Sequence, residues 1–94
     1  MKNFYVYIHL NPSTLEAFYV GKGTGERYKK TSSRSKSWHT YVNKSGFIAK
    51  LLHTDLSGIE AEQLELKYIQ APPVGWNLLN KVLPNRLIYT AEFF

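Results

Sequence analysis

Two short segments near the N-terminus carry polar rings at a spacing that could build a site. Their sequences are Phe4-Tyr5-Val6-Tyr7-Ile8 and Phe18-Tyr19-Val20-Gly21-Lys22. Alternation of apolar and tyrosine side chains is typical of a half-buried strand, in which residues two apart share a face. The first strand would present Tyr5, Tyr7 and His9 on one face, opposite a wholly apolar face. Two interpretations stay open: the polar rings line something, or they are ordinary half-exposed strand residues.

A glycine-rich loop, Gly21-Lys22-Gly23-Thr24-Gly25, follows the second tyrosine segment. Glycines at this density let the backbone turn sharply and approach a ligand closely. The spacing differs from that of a phosphate-binding P-loop, because the lysine lies between the first two glycines. The loop therefore indicates a close backbone approach without identifying the ligand.

Positive charge is concentrated in the middle of the chain. The formal net charge is +5, and only one acid, Glu26, lies between positions 22 and 50. The basic residues of that span are Lys22, Arg27, Lys29, Lys30, Arg34, Lys36, Lys44 and Lys50. Such a one-signed segment favours a polyanionic partner such as nucleic acid, although a merely solvated surface could have the same composition.

The first half of the chain predicts a β-hairpin followed by two helices. The link between the tyrosine strands, residues 9–17, contains the turn-forming cluster Asn11-Pro12-Ser13. A short helix is predicted from Gly25 to about Lys30 with Thr24 as its N-cap, followed by a mobile polar loop over 31–36. A second helix should begin near Ser35 or Ser37 and end at Gly46, a residue that suits the position after a helix. Its buried stripe would be Trp38, Tyr41 and Val42.

The second half predicts one more strand and one more helix. The strand should cover 47–53, with Phe47, Ala49 and Leu51 on one face. A capping box, Ser57-Gly58-Ile59-Glu60, should open a helix that runs to about Gln70 and stops before Pro72-Pro73. On this helix Ile59, Leu66 and Ile69 would share one face, with Glu62 and Glu65 beside it.

These elements predict a small α+β fold, a central three-stranded antiparallel sheet flanked by helices. The 94 residues suit one domain, with residues 80–94 as a C-terminal tail that packs on the core. The absence of cysteine excludes disulfides and thiolate zinc sites, and the three histidines lack zinc-ligand spacing. With no signal-peptide core and no membrane-spanning run, we expect a cytoplasmic protein that does not engage a membrane.

Five elements together resemble the GIY-YIG nuclease family over roughly residues 4–79. They are Tyr5-Val6-Tyr7, Tyr19-Val20-Gly21 with the following Lys22, Arg27, Glu65 with Ile69 four residues later, and Asn77 in Gly75-Trp76-Asn77. The turn Asn43-Lys44-Ser45-Gly46 is also similar to one found in that family. Tyr5 replaces the family's first glycine, and no recognisable specificity domain follows.

The resemblance implies a metal-dependent endonuclease that hydrolyses DNA, with a catalytic set of six residues. They are Tyr7, Tyr19, Lys22, Arg27, Glu65 and Asn77. Glu65 would hold Mg²⁺ or Mn²⁺, with Glu62 as the neighbour most easily confused with it. Arg27 would donate two hydrogen bonds to a pair of phosphate oxygens. Tyr7 would activate the attacking water. Because the unperturbed pKa of a tyrosine is ~10, Lys22 or the metal would have to lower it for Tyr7 to lose its proton at neutral pH.

The predicted DNA-binding surface combines the basic residues with one histidine. It comprises Lys22, Lys29, Lys30, Arg34, Lys36, His39 and Lys44. The small size suits a stand-alone enzyme of a bacterial or phage-infected cell, either as a homodimer or with a protein that supplies specificity. Two alternatives remain: a non-catalytic nucleic-acid-binding module whose exposed tyrosines stack on single-stranded bases, and an interaction protein that uses its apolar tail.

Overall fold

A three-stranded antiparallel sheet and two α-helices form the framework of the protein. The computed structural model describes residues 2–80. In chain order the elements are β1 (Phe4–Leu10), β2 (Ala17–Gly23), a short 3-10 helix (Arg27–Lys29), α1 (Lys36–Ser45), β3 (Ile48–Leu56) and α2 (Gly58–Gln70). The strand order is β2-β1-β3, so β1 lies in the centre. This architecture confirms the predicted antiparallel sheet flanked by helices.

The tight turn between β1 and β2 is built by Asn11. Its side-chain oxygen accepts hydrogen bonds from the backbone N–H groups of Ser13 at 2.8 Å and Thr14 at 3.2 Å. The asparagine thereby mimics a backbone turn, as this residue type commonly does. Leu15 has a φ of 61° and donates its backbone N–H to the Asn11 carbonyl at 2.7 Å. The predicted hairpin is confirmed.

The apolar face of the sheet packs against α2. Val6 and Ile8 of β1 and Val20 of β2 form one buried cluster with Ala61 and Ile69 of the helix. The partly buried residues packed on this cluster are Phe4, Leu10, Leu52, Leu56, Leu64, Tyr68 and Trp76. Burial of this aliphatic surface is the main favourable contribution to folding in a domain of this size.

Of the three residues predicted to share the inner face of α2, only Ile69 belongs to the buried cluster. Ile59 is 69% exposed, Leu66 is partly buried outside the cluster, and the helix contacts the cluster through Ala61 and Leu64 instead. Ile59 lies in the first turn of α2, and Ala61, two positions further along and therefore on a different side of the helix, is fully buried.

Both ends of α2 follow the local sequence. The Ser57 hydroxyl accepts from the backbone N–H of Glu60 at 3.1 Å, and the Glu60 carboxylate accepts from the backbone N–H of Ser57 at 2.8 Å. This is the reciprocal capping box that the sequence predicts. The helix ends at Gln70, before the two prolines that cannot continue it.

The edge strand β2 is covered by the segment that follows α2. Residues 77–79 run along β2, where Asn77 donates its backbone N–H to the Ala17 carbonyl at 2.9 Å and Leu79 donates to the Phe18 carbonyl at 2.8 Å. On the other side, β3 runs to Leu56, three residues beyond its predicted end. Its pairing with β1 places Ala49 opposite His9 and Leu51 opposite Tyr7, so the predicted common face of these two residues is confirmed.

Helix α1 has the predicted boundaries. Ser35 caps it by accepting from the Trp38 backbone N–H at 3.2 Å, and Gly46 follows its last residue with a φ of 77°. Trp38 is 1% exposed, whereas Tyr41 and Val42 are only partly buried. The anchor of α1 is therefore one tryptophan rather than an even stripe.

The predicted C-terminal tail lies outside the described residues, except for Asn80. No helix within residues 2–80 combines the length and the apolar character that crossing a membrane requires.

We expect Ser57→Ala to lower the free energy of unfolding by about 1 kcal/mol, because it removes half of the capping box. Urea denaturation followed by far-ultraviolet circular dichroism would measure the loss. Ser13→Ala is the matched control, since Ser13 is exposed and takes part in its turn through its backbone N–H. An equal loss in both variants would contradict a stabilising role of the cap.

Candidate active site

The polar face of β1 is buried under a second layer of the chain. Tyr5, Tyr7 and His9 are 7%, 1% and 0% exposed. The layer above them consists of the 3-10 helix, the loop that follows it and Trp38 of α1. Half-exposed strand tyrosines on β1 are thereby excluded, and these rings form the floor of an enclosed cluster.

His9 is held as a neutral imidazole by two hydrogen bonds. Trp38 donates its indole N–H to Nδ1 of His9 at 3.0 Å, and because an indole nitrogen only donates, Nδ1 must be the unprotonated nitrogen. Nε2 then carries the proton and donates to the Tyr28 carbonyl at 2.7 Å. Burial lowers the pKa of His9 to about 4, although the bond to Tyr28 opposes this shift. The role of His9 is therefore to position the covering layer.

Tyr5 anchors the glycine-rich loop. Its hydroxyl lies 2.9 Å from the Gly25 carbonyl and 3.1 Å from the Thr24 carbonyl, and it accepts from the backbone N–H of Tyr28 at 3.0 Å. The tyrosine that departs from the family pattern thus has a structural task. The predicted N-cap is wrong: the short helix is a 3-10 turn preceded by Glu26 with no side-chain cap. Thr24 contributes its carbonyl, which accepts from the Arg27 backbone N–H at 3.2 Å.

The hydroxyl of Tyr7 lies between a glycine and an arginine. Arg34 donates from Nη1 to this hydroxyl at 2.6 Å. On the neighbouring strand Gly21 lies opposite Tyr7, and a Cβ atom at Gly21 would lie only 2.5 Å from the hydroxyl oxygen. Only a residue without a side chain leaves room for the ring there. Glycine is required at Gly21 because it has no side chain, and not because of its backbone conformation.

Burial raises the pKa of Tyr7, against the opposing effect of the hydrogen bond from Arg34. The predicted lowering of this pKa by Lys22 is therefore wrong. Lys22 pairs with Val6 in the register of β1 and β2, which puts it on the face that packs against α2. Because successive strand residues alternate between faces, Lys22 and Tyr7 point to opposite sides of the sheet.

Tyr19 lies beside Tyr7 on the same face. The two ring centroids are 6.3 Å apart, and the guanidinium carbon of Arg34 lies 5.5 Å from the Tyr7 centroid and 5.4 Å from that of Tyr19. Trp38 gives Arg34 a third ring at 5.6 Å. These distances suit cation–π attraction, which is strongest where the cation is partly desolvated. Tyr7, Tyr19 and Arg34 form one compact group, which we call the tyrosine site.

The loop over residues 31–36, predicted to be mobile, is tied down by Arg34. Besides its bond to Tyr7, Arg34 donates from Nε to the Lys30 carbonyl at 3.0 Å and from Nη2 to the Arg27 carbonyl at 2.7 Å. A loop whose central side chain makes these bonds has a defined path. Arg34 is among the predicted DNA-binding residues, but nothing in the serine-rich sequence around it indicates its bonds to Tyr7 and to the two carbonyls.

Arg27 supports the same loop from below. It donates from Nη1 to the Ser32 carbonyl at 3.1 Å and from Nη2 to the Ser33 carbonyl at 3.3 Å, and both bonds are exposed to solvent. Its aliphatic stem passes over Gly23, where an added Cβ would lie 2.7 Å from Cγ of Arg27. The guanidinium of Arg27 thus shapes the loop that carries Arg34.

Glu65 lies on α2, the helix that covers the other face of the sheet. It is partly buried between Ala61 and Ile69, one helical turn from each, while Glu62 is exposed. Within residues 2–80 no three carboxylate, histidine or cysteine side chains gather in a group that could hold a metal ion.

Asn77 is exposed, and its described contact is the backbone bond to β2. Asn80 is the asparagine whose side chain meets the sheet, because it donates from Nδ2 to the Val20 carbonyl at 2.6 Å. Its Oδ1 is buried and has no hydrogen-bond partner among residues 2–80. The Gly75-Trp76-Asn77 pattern indicates Asn77, and no local pattern marks Asn80.

The predicted DNA-binding residues are mostly exposed, and all except Lys22 lie on the covering layer or on α1. The exposed ones are Lys29, Lys30, Lys36, His39 and Lys44; Lys22 and Arg34 are partly buried. Lys36 and Lys44 are two turns apart on α1 and line an open groove with Thr40. Lys29 is paired with Glu26 at 2.7 Å, so its charge is partly neutralised.

We expect Gly21→Ala to destabilise the protein by about 1–3 kcal/mol, because the new methyl group displaces the Tyr7 ring from a packed position. Gly58→Ala is the matched control, since its Cβ would meet the Phe4 ring at an ordinary 3.4 Å. Thermal unfolding of both variants and of the wild type would measure the difference. A stable Gly21→Ala variant with an unchanged tyrosine spectrum would contradict the close approach.

We expect stability to fall as pH decreases from about 6.5 to about 4. Between these pH values His9 is protonated in the unfolded chain but not in the folded chain. Protonation therefore stabilises the unfolded state relative to the folded state. One such group contributes at most about 1.4 kcal/mol per pH unit. Urea denaturation at several pH values would show the slope. His9→Gln should reduce it, while His39→Gln, which alters an exposed side chain, should retain it.

Comparison with family models, with curated proteins and with solved structures finds no match to this chain. The resemblance to the GIY-YIG family therefore depends on the five sequence elements alone. The geometry adds that Tyr7, Tyr19 and Gly21 are neighbours on one face of the hairpin, with an arginine over the two rings.

Proposed function

We propose that the protein is a metal-dependent endonuclease that hydrolyses DNA phosphodiester bonds at a site of the GIY-YIG type. The observation that carries the proposal is the tyrosine site, in which two tyrosines and an arginine converge on one face of the hairpin. Phenol groups can orient a water molecule, and a guanidinium stabilises the charge that develops on phosphoryl oxygens. The GIY-YIG sequence elements favour this chemistry over a purely structural aromatic cluster.

Tyr7 is protonated at neutral pH in this arrangement, because burial raises its pKa. Because Tyr7 is only 1% exposed, its hydroxyl would act on water or substrate through Arg34, the partly exposed group that donates to it. Arg34 donates to the same oxygen and would stabilise the phenolate if the proton were lost. Tyr19, which is less buried than Tyr7, is the more accessible of the two hydroxyl-bearing side chains.

The carboxylate that would hold the metal ion is Glu65. A single partly buried glutamate suits Mg²⁺ or Mn²⁺, which can take its remaining ligands from water and substrate phosphate, and does not suit zinc enclosed by protein ligands. When bound, the ion would neutralise charge on the phosphate and on the departing oxygen. Glu65 lies on the helix that also contacts β2, the strand carrying Tyr19.

Charge on the two sides of the sheet favours DNA on the tyrosine side. The covering layer and α1 carry Arg27, Lys29, Lys30, Arg34, Lys36 and Lys44, with Glu26 as the one acid between positions 22 and 50. The α2 side carries Glu60, Glu62 and Glu65 together with Lys22, Lys50 and Lys67, so its charges nearly balance. No aromatic side chain within residues 2–80 is among the exposed residues. The expected exposed tyrosines are thus not found on β1, and contacts to backbone phosphates are favoured over stacking on unpaired bases.

A non-catalytic nucleic-acid-binding module is the second candidate. The observation that favours it is the position of Glu65 on the helix opposite the tyrosine face. Such a module would bind DNA in a salt-sensitive manner without cutting it. The interaction protein that uses its apolar tail concerns residues outside the described part of the chain and stays a prediction, as do a homodimer and a specificity-supplying partner.

Cleavage of duplex, flap and junction DNA with and without Mg²⁺ or Mn²⁺ tests the proposal. We expect metal-dependent cutting by the wild type and a loss of at least about 100-fold in Glu65→Ala, because the metal ligand is removed. Glu62→Ala is the control, since Glu62 is an exposed carboxylate one turn away. Full cutting by Glu65→Ala would refute the site assignment. Salt-sensitive binding without any cutting would establish the binding module instead.

A further inference from the structure

Arg34 is the best-connected cation in the described part of the chain. Its guanidinium donates to the Tyr7 hydroxyl and to two backbone carbonyls, and lies within 5.6 Å of three ring centroids. It is partly buried, whereas most of the surrounding lysines are exposed. A guanidinium has more N–H donors than these three bonds use, so it retains the ability to bind a further acceptor.

No carboxylate balances this charge among residues 2–80. The ion pairs described there join Lys2 with Glu60 and Lys29 with Glu26, and neither includes Arg34 or Arg27. A partly desolvated cation that faces only rings and carbonyls attracts an anion strongly, because solvent screens it less than an exposed lysine. The partly exposed guanidinium of Arg34 therefore offers a phosphate group a binding position at the tyrosine site, whereas the Tyr7 hydroxyl itself is buried.

Arg27, the arginine that the sequence favours, is used differently. Both of its terminal nitrogens donate to carbonyls of the loop that carries Arg34. Its own backbone carbonyl accepts from Arg34 at 2.7 Å. Arg27 thus holds the loop by hydrogen bonds, and the loop positions Arg34 over the rings.

We propose that Arg34 binds the substrate phosphate in the tyrosine site, bridging a non-bridging phosphate oxygen and the Tyr7 hydroxyl, while Arg27 is a positioning residue. This inference rests on the proposed function in taking a phosphodiester as the ligand. It makes no use of the metal ion, so binding alone can test it. Lysine cannot replace Arg34, because an ammonium group has neither the planar fork nor the flat surface that lies on the rings.

The first test follows the arginine Nε–Hε signals by NMR while a short DNA duplex is added in the presence of EDTA. The chain has three arginines, and Arg27→Lys and Arg34→Lys assign two of the signals. We expect the Arg34 signal to shift more than the Arg27 signal and to saturate with bound DNA. A shift confined to Arg27, or no binding of the duplex by the wild type, would overturn the inference.

The second test compares DNA affinity of matched variants, again without metal. Arg34→Gln should weaken binding about 10- to 100-fold, the loss expected for one charge-assisted contact, and Arg34→Lys should restore only part of it. Wild-type affinity in Arg34→Gln, or full restoration by Arg34→Lys, would refute the role of the fork. Circular dichroism checks folding, and if Arg34→Gln is unfolded, Arg34→Lys and the NMR titration still decide.

The outcomes separate this inference from the proposed function. Phosphate binding through Arg34 without metal-dependent cutting would support the inference about Arg34 and refute the proposed endonuclease activity. Metal-dependent cutting that Arg34→Gln performs at the wild-type rate would leave the endonuclease standing and remove Arg34 from its phosphate-binding role.

Discussion

The central strand β1 buries polar rings on one face and aliphatic side chains on the other, and the rest of the structure depends on satisfying both. Val6 and Ile8 need only an apolar partner, which α2 provides. Tyr5, Tyr7 and His9 need hydrogen bonds, because a buried polar group without a partner destabilises the fold by about 1–3 kcal/mol. The covering layer supplies those bonds, so its path is dictated by the polar atoms of one strand.

Each ring of that face fixes a different part of the covering layer. Tyr5 binds the glycine-rich loop, Tyr7 receives Arg34, and His9 joins the 3-10 helix to α1 through the Tyr28 carbonyl and the Trp38 indole. The segment has little regular structure of its own and is held by these individual bonds. A site built in this way is preorganised, since the groups that would meet a substrate are oriented before it arrives.

The same division separates the charges of the described chain. The basic segment between positions 22 and 50 becomes the covering layer on the polar face, apart from Lys22 and Lys50, whose register positions put them on the other face of the sheet. The acidic first half of α2 lies across the sheet from that layer. A polyanion would therefore meet more unbalanced positive charge on the covering side than on the α2 side, where Lys22, Lys50 and Lys67 lie among the three glutamates of the helix. Glu65 belongs to this helix, whose residues Ala61 and Ile69 pack on the aliphatic face of the sheet.

Local sequence was sufficient wherever the deciding interaction is local. The capping box of α2, the Asn11 turn, the Ser35 and Gly46 boundaries of α1 and the alternation of β1 all follow from residues within about four positions of one another. Only the tertiary structure decided what covers the polar face. Arg34 reaches Tyr7 across 27 positions, and Trp38 reaches His9 across 29. The alternation of the tyrosine strands was enough to identify them as a possible site. Burial, which keeps Tyr7 protonated and His9 neutral, depends on partners that no local pattern specifies.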